Sequence, residues 1–280
     1  LGDTGKPTGF YFDEMATPYW TLVDAGHKVS ISSINGGKPI HDPSSIKENK
    51  SENPEAVERF LNDNDAMASL SKTVSIVDLQ ASDFDAVFLP GGHGTMYDFP
   101  NNEALASIIG KIFDVGGTVA AVCHGPAGLV SARRSNGRPV VEGLRINSFT
   151  DAEEETIGLT DIVPFLLERR LRELGGKFEG TDNFKEYAVQ DGQLVTGQTL
   201  HQQGLLQQKC SKLFLNRNNH QPLLANACLF TILGNELPNQ LSRSLLITTL
   251  NIKFRRLRVP VTISELSRKL FWPRAWSPYV

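Results

Sequence analysis

Val115-Gly-Gly-Thr-Val-Ala-Ala-Val-Cys-His-Gly-Pro126 is the stretch on which the fold turns. Gly116 and Gly117 lead by a turn into the short apolar run 118–122, which has the length and composition of a buried strand. The run ends in Cys123, with the small Ala121 two residues before it and Gly125 two after it. A sharp strand-to-helix elbow needs small residues at those positions, because its nucleophile sits at a crowded turn. A helix opening at the cysteine would aim its positive dipole end and free N–H groups at the sulfur, favouring thiolate. A lone buried cysteine is more often structural. Here the strand, the small residues, the adjacent histidine and the helix start together favour a nucleophile.

Working outward, 86–89 reads as a second buried strand, closed by Pro90-Gly-Gly-His-Gly94. Leu105, Ile108, Ile109 and Ile112 between the two strands fall at i, i+3, i+4 and i+7, the stripe of an amphipathic helix. Toward the N-terminus, 9–25 reads as a helix stopped by Gly26, with Pro18 predicting a kink or a break, and 29–34 as a strand. Residues 36–72 are polar and open with Gly-Gly-Lys-Pro; they read as an excursion of lid character with one short helix at 54–61. Downstream, 140–146 reads as a hairpin or extended arm and 151–157 and 162–174 as helices. Residues 187–189 and 194–195 read as paired strands around Asp191-Gly192. Strands alternating with helices, with glycine turns at strand C-termini, predict a doubly wound α/β fold. Its site should lie outside the carboxyl ends of adjacent strands, at 91–94 and 123–125.

Composition sets bounds. Three cysteines, Cys123, Cys210 and Cys228, are too few and too scattered for a disulfide framework or a zinc cluster, which points to a reducing, cytoplasmic compartment. No run of eighteen apolar residues suggests a membrane span. The chain opens at Leu1 without Met or a signal-peptide pattern, so targeting by an earlier segment stays open. The net charge of −3 hides a break: residues 1–198 hold 17 Lys+Arg against 29 Asp+Glu, and residues 199–280 hold 11 against 2. The basic residues of the tail are dispersed among Leu, Ile and Phe, which argues against a nucleic-acid arm and for a different origin of the two parts. The glycines at 91–94 lack the Lys-Ser/Thr of a phosphate loop.

Four stretches resemble the ThiJ/PfpI branch of the class I glutamine amidotransferase-like superfamily. They are Gly2-Asp-Thr-Gly-Lys-Pro-Thr-Gly-Phe-Tyr-Phe-Asp-Glu14, Leu89-Pro-Gly-Gly-His-Gly94, Ala121-Val-Cys-His-Gly-Pro126 and Phe149-Thr-Asp-Ala-Glu-Glu154. Within that branch the chain is most similar to the heat-shock-associated glyoxalase III (D-lactate dehydratase) type, whose insertion the region around 38–42 also resembles. The resemblance implies a flavodoxin-like, mostly parallel sheet with helices on both faces and a nucleophile elbow, over residues 1–198 with the insertion at about 36–72. It also implies a strand ahead of Leu1, inside the sheet. After Gln198 the likeness stops, and a frameshift, retained intron or mis-predicted exon would account for the unmatched basic tail 199–280. The tail is expected to be a poorly packed appendage. Its stretch 223–233 is expected to imitate the family's closing helix on the sheet, with 253–258 and 271–276 exposed.

The resemblance also assigns roles. Cys123 is the implied nucleophile, adding to the aldehyde of methylglyoxal. His124 follows it directly; adjacent side chains diverge at an elbow, so it can act as base only by curling beside the sulfur with a carboxylate behind it. Glu154 matches that carboxylate. Residues Glu153, Glu154 and Glu155 point in three directions on a helix, so one alone can reach the site, and without the resemblance the run reads as a solvated helix N-terminus. Glu14 is placed against the sulfur, sharing its proton. Gly92 and His124 would offer backbone N–H groups to an oxyanion. His93, lacking a second ligand at suitable spacing, reads as a pocket wall or as a donor to a residue of the site, and not as a metal ligand. The implied activity is a lyase: cofactor-free, glutathione-independent detoxification of methylglyoxal to D-lactate. It involves a small carbonyl substrate and no metal, nucleic acid or membrane, and is compatible with a homodimer. A holdase chaperone and a redox sensor based on Cys123 are the alternatives.

Overall fold

A computed structural model describes residues 1–199 and 227–232, all of which fall in the unit Leu1–Asn235. A seven-stranded sheet forms its centre, in the order β2-β1-β9-β3-β4-β8-β7. These strands are β1 (Lys28–Ser33), β2 (Val74–Ser75), β3 (Ala86–Leu89), β4 (Thr118–Val122), β7 (Ala188–Asp191), β8 (Leu194–Gly197) and β9 (Ala227–Ile232). All neighbours pair in parallel except β7, which returns antiparallel along β8 through the Gly192 turn. A separate parallel pair joins β5 (Arg145–Ile146) to β6 (Lys177–Phe178). β3 and β4 are buried at every position, as strands covered on both faces must be.

The helices are α1 (Phe12–Asp24), α2 (Glu55–Asn62), α3 (Asn64–Ser71), α4 (Thr95–Asp98), α5 (Glu103–Asp114), α6 (Asp151–Thr156) and α7 (Leu167–Glu173). Two apolar clusters flank the sheet. One gathers Phe10, Phe12, Met15, Trp20, Phe60 and Phe230; the other gathers Val87, Leu89, Leu105, Ile109, Ile112, Val119 and Leu229. Helices on both faces of a parallel sheet are the doubly wound architecture expected. Among the described residues no helix is long and apolar enough to cross a membrane.

Several expectations are corrected. α1 runs unbroken through the buried Pro18, which deprives the Glu14 carbonyl of its usual donor without splitting the helix. The region 162–174 is helical only from Leu167, because Pro164 and its neighbours form turns. The excursion 36–72 holds two consecutive helices, α2 and α3, where one was expected. Residues 140–146 form turns and the short β5 instead of a hairpin.

The largest correction concerns the tail. Residues 227–232 form a strand at the middle of the sheet, paired with Lys28–Ser33 on one side and with Ala86–Phe88 on the other. They are not a helix lying on it, and this part of 199–280 is no appendage. Phe230, fully buried, stacks on Phe88 with ring centroids 4.9 Å apart. The strand thus fills an interior position of the kind the resemblance reserved for a strand ahead of Leu1. The stretches 253–258 and 271–276 lie outside the described residues.

Candidate active site

Cys123 ends β4 with φ 57°, a left-handed conformation costly for a residue with a Cβ. Its neighbours hold it there: its N–H donates to the Gly197 carbonyl at 2.9 Å, and its carbonyl accepts the Phe149 N–H at 2.8 Å. The glycine requirement read from the sequence has a steric basis. A Cβ at Gly125 would collide with the Leu89 carbonyl, and one at Gly91 would lie 2.6 Å from the His124 nitrogen and 2.8 Å from the Cys123 Cβ. The chain continues past the elbow as a 3₁₀ helix, Gly125–Leu129, not as an α-helix. The sulfur therefore meets individual N–H groups of the two glycine turns, from Gly92 and His124, in place of a helix dipole.

Glu14 reaches the sulfur from the first turn of α1. The preceding loop is tied to the glycine turn by the Tyr11 N–H, which donates to Gly91 O at 2.9 Å, and Glu14 Oε2 accepts the Gly91 N–H at 2.8 Å. The carboxyl stands beside Cys123, both packed against Gly91. Burial pushes the Glu14 pKa up to about 8. Burial and the neighbouring Glu14 charge push the Cys123 thiol up, while the Gly92 and His124 N–H groups pull it down. The thiolate expected from a helix start is thus replaced by a thiol–carboxyl pair that holds its protons jointly.

On the other side of the sulfur, His124 does curl back: its Nδ1 lies 3.3 Å from Cys123 Sγ. Its Nε2–H donates to Glu154 Oε2 at 2.9 Å, which leaves Nδ1 as the acceptor facing the thiol. Glu154 projects from α6, a helix started by a capping box between Thr150 and Glu153. Glu154 Oε1 accepts a second hydrogen bond, from His93 Nε2 at 2.8 Å. Burial, then the neighbouring His93, hold the His124 pKa down to about 4. Burial works against the Glu154 charge, but the hydrogen bonds from His124 and His93 outweigh it and hold this carboxyl at about 2.

Residues 9–212 match the DJ-1/PfpI family. The chain belongs to that family. It is 32% identical to the glyoxalase 3 of Candida albicans over 200 residues, 69% of this chain and 84% of the relative. It is also 32% identical to the glutathione-independent glyoxalase HSP31 of Saccharomyces cerevisiae over 201 residues, with the same shares covered. The crystal structure of the Candida albicans glyoxalase III superposes with a TM-score of 0.68 at 28% identity, covering 77% of this chain and 91% of that one.

The structure brings together all six residues singled out from the sequence: Cys123, His124, Glu14, Glu154, Gly92 and His93. Five of them line a cavity of about 510 Å³, and Glu154 stands behind it on the two histidines. Its wall also includes residues that sequence reasoning missed: Tyr11, Asp13, Phe149 and Phe184, and Asp42, Lys47 and Asn53 from the excursion. Tyr11, Asp13, Asp42 and Phe149 lie inside the quoted stretches, which do not single them out, while Lys47, Asn53 and Phe184 come from loops that no pattern in the sequence marks. Phe149 packs on the His124 ring with centroids 4.5 Å apart and sets its plane. His93 stands where a pocket wall and a donor to Glu154 would stand. His93, His124 and Glu154, from three separate segments, offer ligand atoms within 4.8 Å of one another.

Proposed function

We propose that this DJ-1/PfpI protein is a glutathione-independent glyoxalase of the D-lactate dehydratase type, acting on methylglyoxal in carbonyl-stress detoxification. The Cys123 sulfur adds to the aldehyde carbon, and the new oxygen takes up a proton to give a hemithioacetal. The Gly92 and His124 N–H groups line the sulfur where that oxygen develops its charge. Glu14, as carboxylate, takes the hydrogen of the former aldehyde carbon as a proton, forming an enediol, and returns it to the neighbouring carbon. One carbon is oxidised as the other is reduced, so the step needs no external redox partner. Water then cleaves the resulting thioester to lactate and regenerates the thiol. His124, aligned by Glu154, moves protons on the opposite side of the sulfur.

The single observation that carries this proposal is the placement of the buried Glu14 carboxyl beside Cys123 at the cavity wall, both packed against Gly91. A carboxyl raised toward neutrality can both accept and return a proton near pH 7. The test is consumption of methylglyoxal by the purified chain without glutathione, with the lactate enantiomer determined. Cys123→Ser and Glu14→Gln should each lose at least about a hundredfold in kcat, because the two groups act as one unit. No D-lactate from the parent protein, or full turnover in Glu14→Gln, would overturn the proposal. A holdase would be indifferent to Cys123→Ser.

A further inference from the structure

Glu154 is shared by two imidazoles. His93 Nε2 lies 2.8 Å from one of its oxygens and His124 Nε2 lies 2.9 Å from the other, and the two rings stand 4.0 Å apart. His124 and Glu154 are buried, while His93 is partly open to the cavity. Two imidazole nitrogens and a carboxylate with one open side are the ligand set of a four-coordinate zinc site whose last position is left to solvent. Ligand atoms on a tetrahedral zinc stand about 3.3 Å apart, from bond lengths of about 2.0–2.1 Å. The two histidine–carboxylate separations need change by only a few tenths of an ångström, and the three ligand atoms already lie within 4.8 Å of one another, so the two imidazoles must close toward each other on an ion.

We propose that His93, His124 and Glu154 form a binding site for a divalent transition metal, zinc being the fitting ion, and that a bound ion switches Cys123 off. The switch is a tautomer change. With the ion on Nε2, the neutral His124 ring must carry its proton on Nδ1, the nitrogen 3.3 Å from the sulfur. The acceptor facing the thiol then becomes a donor and cannot take up a proton. Each histidine keeps one proton, moved from Nε2 to Nδ1, and no bond to sulfur forms. The binding part of the proposal does not depend on the substrate.

The full-length chain, stripped with a chelator, is titrated with Co2+ as a spectroscopic stand-in for Zn2+. One Co2+ per chain is expected, giving visible tetrahedral ligand-field bands without an intense thiolate-to-cobalt band, and Zn2+ should bleach them. His93→Ala removes a partly exposed ligand and should weaken Co2+ binding by more than about tenfold. Glu154→Gln should do the same, with far-UV circular dichroism to verify its fold. Cys123→Ser and the pair His201→Ala with His220→Ala should keep the bands. Absence of the bands in the parent chain, or unchanged affinity in His93→Ala, would overturn the site. For the switch, Zn2+ should suppress methylglyoxal turnover at the concentrations that displace Co2+, and chelation should restore it. Saturated Zn2+ binding with unchanged turnover would overturn the switch while leaving the site standing.

Discussion

Glu14 imposes a pH signature that a surface glutamate could not. Its ordinary pKa of 4.5 is raised to about 8 in the folded chain, chiefly by burial. Between those values the folded state binds more protons than the unfolded state, so Glu14 makes stability fall as pH rises through that window. Glu14→Gln keeps an acceptor for the Gly91 N–H and a donor toward the sulfur, and mimics the protonated acid at every pH. The variant should therefore match the parent below about pH 4.5 and gain on it up to about pH 8, by roughly 1–4 kcal/mol. Melting temperatures across this range provide the check; parallel curves would show that Glu14 is not forced to remain protonated by folding. The sequence disclosed much at this scale, since Cys123, His124, Glu14 and Glu154 lie in recognisable motifs. What it hid was multiplicity. Glu153, read as a solvated neighbour, is fully buried and accepts from the Thr150 N–H and hydroxyl, the Phe184 N–H and the Gln198 side chain. The Thr150 donors follow from capping-box spacing, but Phe184 and Gln198 come from segments that spacing cannot bring together.

At the scale of the element, periodicity served where an element faces one environment. α5 buries Leu105, Ile108, Ile109 and Ile112, the very stripe read from the sequence. It failed where an element is short and apolar throughout, because a run such as Ala227–Ile232 fits a buried strand and a buried helix equally well. The structure resolves the ambiguity through pairing: β9 has a ladder on each side and side chains in both apolar clusters, Phe230 in one and Leu229 in the other. Phe230 also meets Tyr19 at 6.3 Å, which links the strand to α1 and hence to the helix that carries Glu14. Phe230→Ala should therefore cost about 3–5 kcal/mol in urea denaturation, as expected for a large aromatic removed from a closed core. A cost below about 1 kcal/mol would mean that β9 contributes little to the sheet.

For the molecule as a whole, the change in charge balance at residue 199 and the end of the motif resemblance at Gln198 both suggested a self-sufficient domain ending there. The sheet contradicts that inference on physical grounds. β1 and β3 do not pair with each other; each pairs with β9, so removing the tail would open the sheet at its middle. The exposed backbone groups along Lys28–Ser33 and Ala86–Phe88 would lose their partners in an apolar interior, at a cost of about 1–3 kcal/mol for each group left dry. Apolar burial by Leu229 and Phe230 would vanish as well, at roughly 1.5–3 kcal/mol per side chain. A domain stable by only about 5–15 kcal/mol cannot absorb such a loss. A chain ending at Gln198 should therefore show no cooperative thermal transition, and its two unpaired strand edges should drive aggregation. The full-length chain should unfold in a single transition for the unit Leu1–Asn235. Calorimetry on the two proteins decides the matter: a sharp transition in the truncated chain at the parent's temperature would show that the sheet closes without β9.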